Sequence, residues 1–105
     1  MIRIASYNLS STQKTKLLDV ADGTDWLTAE TIYAQNKGSD EVDLIITHTI
    51  QGDEVEVTST SLVANQSEPI VVHASSITVE PNSFISATAS HANVNLEFVV
   101  MDHAL

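Results

Sequence analysis

Apolar and polar residues alternate along most of the chain, most clearly between Val42 and Ile50. There Val42, Leu44, Ile46, His48 and Ile50 share one parity, while Asp43, Thr47 and Thr49 share the other with Ile45. A two-residue period is the side-chain alternation of a β-strand. From Val94 onward, Val94, Leu96, Phe98 and Val100 oppose Asn95, Glu97, Val99 and Met101. This predicts a strand that is half-buried at first and buried on both faces toward its end. Between Ile77-Thr78-Val79 and Phe84 to Ala89 stands Glu80-Pro81-Asn82-Ser83. Pro sets the first turn dihedral and Asn tolerates the second, so this is a turn and not part of a ladder.

The same reading extends to both ends. Residues 1 to 14 mix Ser, Thr and Asn with isolated apolar positions and are expected to be an N-terminal arm or an edge strand, ahead of a domain over residues 15 to 105. Thr15 to Val20 is a short apolar run, closed by Asp22-Gly23, a strong turn signal. From Trp26, Leu27, Ala29, Thr31 and Tyr33 alternate with Thr28, Glu30, Ile32 and Ala34. Ala, Glu and Gln make a helix the competitor here, but Thr28, Thr31, Ile32 and Tyr33 and the neighbouring strands favour a strand. Gln51 to Glu54 is short enough for a hairpin into Val55. The apolar phase slips before Leu62, which predicts a bulge near Ser59 to Ser61. It slips again after Ala74, predicting a kink at Ser75-Ser76 in one bent strand or between two.

These segments predict an all-β antiparallel β-sandwich, jelly-roll-like, of about seven or eight strands, with a small barrel as the other arrangement. Leu44, Ile46, Val72, Phe84, Leu96 and Phe98 are expected in the core. Ile45, Val99 and Met101 are not explained by a polar outer face, and point to a second buried surface between subunits.

Charge changes the picture. The 105 residues carry 14 acidic and 4 basic side chains, a formal net charge of -10, and all the basic ones (Arg3, Lys14, Lys16, Lys37) precede residue 38. Phosphate-backbone and anionic-membrane binding need clustered Lys and Arg, so no nucleic acid and no membrane is expected as partner. With no Cys, thiolate chemistry and disulfides are excluded. The N-terminus lacks the long apolar core of a signal peptide.

Candidate chemistry is thin. His48, His73, His91 and His103 stand at no metal or hydrolytic spacing, and His48 falls on an apolar face, where a core or interface histidine is expected. The acidic turns around Asp22, Asp40 and Asp53 lack the spacing of a calcium loop. No nucleophile elbow or phosphate loop occurs, and Gly23, Gly38 and Gly52 sit in separate turns. Neither an enzyme nor a cofactor is expected.

The order of segments resembles the small β-sandwich structural proteins of tailed-bacteriophage virions, found as capsid decoration or cement proteins and as neck or tail accessories. The similarity runs over about residues 15 to 101. It is carried by Val20-Ala21-Asp22-Gly23 before the strand from Leu27 to Gln35, by Asn36 to Asp40 before Val42 to Ile50, and by Pro69-Ile70-Val71, Ile77-Thr78-Val79 and Phe84 to Ala89. Pro81-Asn82 replaces the glycine usual in that family's last turn. The resemblance implies a non-catalytic protein on the virion's capsid surface, or at its neck or tail, that docks on the major capsid protein and forms a homo-oligomer, with a trimer expected. Arg3, Lys14, Lys16, Trp26, Ile45, Val99 and Met101 are the expected capsid or subunit contacts. The residues alone also allow a carbohydrate-binding module or adhesin domain, with Trp26 or Tyr33 as the stacking aromatic.

Overall fold

The computed structural model describes residues 2–20 and 25–103. The predicted Asp22-Gly23 turn lies outside them. The described residues form nine strands and no helix: β1 (Ile2–Leu9), β2 (Thr15–Val20), β3 (Trp26–Asn36), β4 (Val42–Ile50), β5 (Asp53–Leu62), β6 (Ile70–His73), β7 (Ile77–Val79), β8 (Ser83–Ala89) and β9 (Val94–His103).

All pairings are antiparallel and divide into two sheets. One runs β1-β9-β3-β6 with β7 also on β3, and the other β2-β8-β4-β5. Ala34 pairs with Ile70 and Leu27 with Val79, so β6 and β7 lie end to end along one edge of β3. They are a single strand position interrupted around the expected kink at Ser75-Ser76. Counted that way there are eight positions, and every connection changes sheet except the β4–β5 hairpin. That is the strand order of a jelly roll, an antiparallel sandwich as the alternation predicts.

The turns follow from their residues. Gln51 and Gly52, with φ of 49° and 92°, form a two-residue loop of the kind that matches the twist of paired strands. Asn82 at φ 64° and Asn93 at φ 69° close the β7–β8 and β8–β9 turns, since Asn tolerates the left-handed region.

Irregularities in the register set which side chains reach the core, those on β3 and β5 above all. On β3 the register with β9 shifts between Ala29 and Thr31, leaving Glu30 without an opposite residue. Leu27 and Ala29 therefore point inward before the bulge, and Ile32, Ala34 and Asn36 after it. Simple alternation had put Thr31 and Tyr33 on the face of Leu27, and the bulge turns them outward. On β5 the extra residue is Val57, where the partners of Ile46 and Thr47 jump from Thr58 to Glu56. The predicted bulge is real but lies earlier than Ser59, because the hairpin fixes the register from the Val55 side.

The core is built by both sheets, with Phe98, Ile32, Leu44, Ile46, Leu62, Ile85 and Leu96 fully buried. Of the expected core residues, Val72 is half-buried against its rim. Phe84 is also half-buried, but on the outer face of the second sheet, where the Lys16 ammonium sits 4.2 Å from its ring centroid. Ser83 and Ile85 take the inward positions on either side of Phe84.

One end of the sandwich is tied by a buried amide. Asn36, with no exposed surface, donates from Nδ2 to the carbonyls of Asp40 (2.8 Å), Val63 (3.0 Å) and Leu62 (3.4 Å). Its Oδ1 accepts from the Gly38 N–H at 3.0 Å, and its own N–H donates to Gln66 Oε1 at 2.9 Å. The Lys37 N–H reaches the Asn93 carbonyl at 2.9 Å, so three loops converge on this end.

Candidate functional site: the outer face of the β1–β9–β3 sheet

The inward parity of β9 is fixed by Val94, Leu96, Phe98 and Val100, so Asn95, Glu97, Val99 and Met101 face outward. On β1, Ala5 and Leu9 enter the core. Register then places Ile2 opposite Met101 and Ile4 opposite Val99. Ile2 is 64% exposed and Ile4 60%, large values for isoleucines within a paired strand. Val99 and Met101 are half-buried beside them, and across β9 their neighbours on β3 are Thr31 and Thr28. The four side chains form one apolar patch on the outside of the sheet.

Trp26 borders the patch at the end of β3, stacked on His103 with ring centroids 5.1 Å apart and planes 14° from parallel. The His103 ring nitrogen Nε2 is also 3.0 Å from the Thr28 hydroxyl. On the opposite, inward parity of β1 and β9, at the margin of the sheet, Arg3 donates to Asp102 from Nε at 2.7 Å and from a terminal nitrogen at 3.2 Å. This pairing raises the Arg3 pKa and holds the Asp102 carboxyl below the usual carboxylate range. The pair is surface-exposed and contributes little to stability by itself.

Arg3 is thus off this face, and the other six expected contact residues separate into two groups. Trp26, Val99 and Met101 come together on this face, joined by Ile2 and Ile4. Lys14, Lys16 and Ile45 belong to the other sheet. There Lys14 is ion-paired with Glu54, Lys16 lies 3.9 Å from Asp19 and over Phe84, and Ile45, 36% exposed, pairs with Ser59 and Thr88. Arg3, Lys14 and Lys16 therefore all have acidic partners within the domain. Ile2 and Ile4 escaped sequence reasoning because residues 1 to 14 were assigned no register. The signal was there in Ile2-Arg3-Ile4-Ala5, an alternation that places both isoleucines on one face.

Among the described residues the titratable groups do not converge into a catalytic arrangement. Among the described residues no group of three or more His, Asp or Glu side chains is placed to hold a metal ion. His48 is on β4, His73 on β6, His91 before β9 and His103 at its end. His48 is buried, and burial pushes its pKa down against a weaker upward pull from Glu80. Among the described residues its Nε2 has no hydrogen-bond partner, and neither do the buried hydroxyls of Thr47 and Thr49.

No family model and no curated protein sequence matches the chain. Solved structures do. Two crystal structures of a pentameric capsid protein isolated from metagenomic phage sequences match with a TM-score of 0.51 at 10% identity, over 96% of this chain. The chain spans 60% and 63% of the length of those two proteins. Murine APRIL matches at a TM-score of 0.48 and 11% identity, over 94% of this chain and all of that one. At such identities the likeness is one of fold alone. The expectation of a trimer is corrected here, because the matching phage capsid proteins are pentameric. Threefold symmetry came from the family resemblance alone. An apolar patch specifies a contact surface and no rotation angle.

Proposed function

We propose that the chain is a non-enzymatic structural component of a virus particle, placed on the outside of the capsid shell as a decoration protein. The observation that carries this reading is the apolar patch of Ile2, Ile4, Val99 and Met101, set on a jelly-roll domain of the architecture that the matching phage capsid proteins have. Exposed apolar side chains that cluster across two paired strands are what an assembly surface requires, whereas scattered ones are ordinary. Trp26 belongs to the same contact, half-covered by its stack on His103 and ready to be covered further. The acidic remainder of the surface faces solvent and keeps free copies apart.

Imaging intact particles that carry this chain tests the proposal. Copies distributed over the outer shell, with Ile4 and Val99 within a protein contact, are the expected result. Copies confined to the neck or tail would move the assignment there, and absence from the particle would overturn it.

A further inference from the structure

Beside the apolar patch, the same sheet face turns polar. Ser6, Tyr7, Asn8, Asn95, Leu96 and Glu97 line a shallow recess of about 420 Å³, a size within the range of small-ligand sites. Ser6 lies opposite Glu97 and Asn8 opposite Asn95, all on the outward parity. Across β9, Glu97 is opposite Tyr33 and Asn95 opposite Gln35. Two rows of side chains result, Ser6–Glu97–Tyr33 and Asn8–Asn95–Gln35.

We propose that this recess binds a neutral saccharide, one that is independent of the assembly reading above. Asn8 Nδ2 donates to Asn95 Oδ1, which orients the two amides against each other. Asn8 Oδ1 and the Asn95 amide hydrogens are left to serve a ligand as acceptor and donors, the combination that neighbouring sugar hydroxyls need. The Glu97 carboxylate, with no hydrogen bond or ion pair among the described residues, is a further acceptor. Tyr33, outside the six lining residues but opposite Glu97 and half-buried on the same face, puts an aromatic ring beside the recess for the C–H side of a pyranose. Adjacent strands are about 4.8 Å apart, close to the length of one pyranose residue, so the rows match a sugar lying across β9.

Charge selects the class. No Lys or Arg lines the recess, Glu97 stands in it, and the chain carries a net charge of -10, so phosphorylated, sulfated and sialylated ligands are repelled. With four polar residues among the six that line it, the recess is also unsuited to an apolar ligand.

The test is a titration of the isotope-labelled protein with maltohexaose, cellohexaose, mannotriose and N-acetylchitotriose at millimolar concentration, followed by amide resonances, with sialyllactose as the anionic comparison. Shifts confined to the amides around Ser6 to Asn8 and Asn95 to Glu97 are expected with at least one neutral probe. Asn95→Ala and Glu97→Ala, half-buried side chains on the face away from the core, should each weaken that binding by about tenfold, the equivalent of 1.4 kcal/mol, with the remaining spectrum unchanged. Tyr33→Ala should do the same if its spectrum shows an intact fold. Silence with all four neutral probes, shifts mapping elsewhere, or equal binding of sialyllactose would overturn the proposal.

Discussion

Asn36 shows how one side chain holds several loops. Its amide supplies the hydrogen bonds of the Asp40, Leu62 and Val63 carbonyls at a site closed to water. Asn36→Ala removes those donors and leaves a cavity, and is expected to cost about 2–4 kcal/mol in denaturant unfolding. Asn36→Asp keeps the shape but sets a carboxylate against the same carbonyls, so it should cost at least as much. A neutral Asn36→Asp would show that the network does not carry the loops. His48 gives a second expectation. Burial holds its folded pKa below the ordinary histidine value, so the unfolded chain takes up the proton first as pH falls. The stability contributed by neutral His48 is complete above about pH 6.5 and is lost as pH drops from there toward the lower folded value. Melting temperatures measured between pH 8 and 5 should fall less for His48→Leu than for the natural chain, and parallel curves would contradict this. The sequence placed His48 on the core face because its neighbours at two-residue spacing are aliphatic. It marked Asn36 only as the start of a turn, since nothing local reveals which distant carbonyls will need a donor.

Element by element, period-two alternation located nearly every strand, and Gly, Pro and Asn located the turns. Alternation missed the break inside β3, and it put the break inside β5 a few residues too late. Glu30 is the example: the bulge it forms against β9 reverses the parity of the second half of β3, and only the pairing with β9 shows it. Its carboxylate also accepts from the Ser76 hydroxyl, fastening the bulge to the interruption between β6 and β7. Deleting Glu30 makes Ala29 and Thr31 consecutive, so the alternation runs unbroken and Leu27, Ala29, Ile32, Ala34 and Asn36 all keep the core face in the same register with β9. The deletion is therefore expected to retain cooperative thermal unfolding, as is Glu30→Ala, which keeps the residue count. A deletion variant without a cooperative transition would mean that the bulge itself is needed for the fold. Leu9, buried at the end of β1, provides a comparison: Leu9→Ala should cost about 2–4 kcal/mol, because β1 supplies core as well as an edge.

At the scale of the molecule, an acidic jelly roll carries an apolar patch at one margin of its first sheet. Composition made the charge legible, and the doubly apolar end of β9 suggested a second buried surface. The partner residues on β1 came only with the register. Two forces then oppose each other, since burying Ile2, Ile4, Val99 and Met101 favours contact while a net charge of -10 per copy resists it. Association should therefore strengthen as salt rises, because screening removes the repulsion and leaves the apolar term. Sedimentation velocity of the natural chain and of Ile4→Asp, across protein concentration and from low to molar salt, tests this most directly. The expected result is an association of the natural chain that grows with salt and is lost in Ile4→Asp, with unchanged far-ultraviolet spectrum and melting temperature. A natural chain that sediments as an 11.3 kDa monomer under every condition, or an Ile4→Asp variant that associates equally well, would contradict the assignment of this face to assembly.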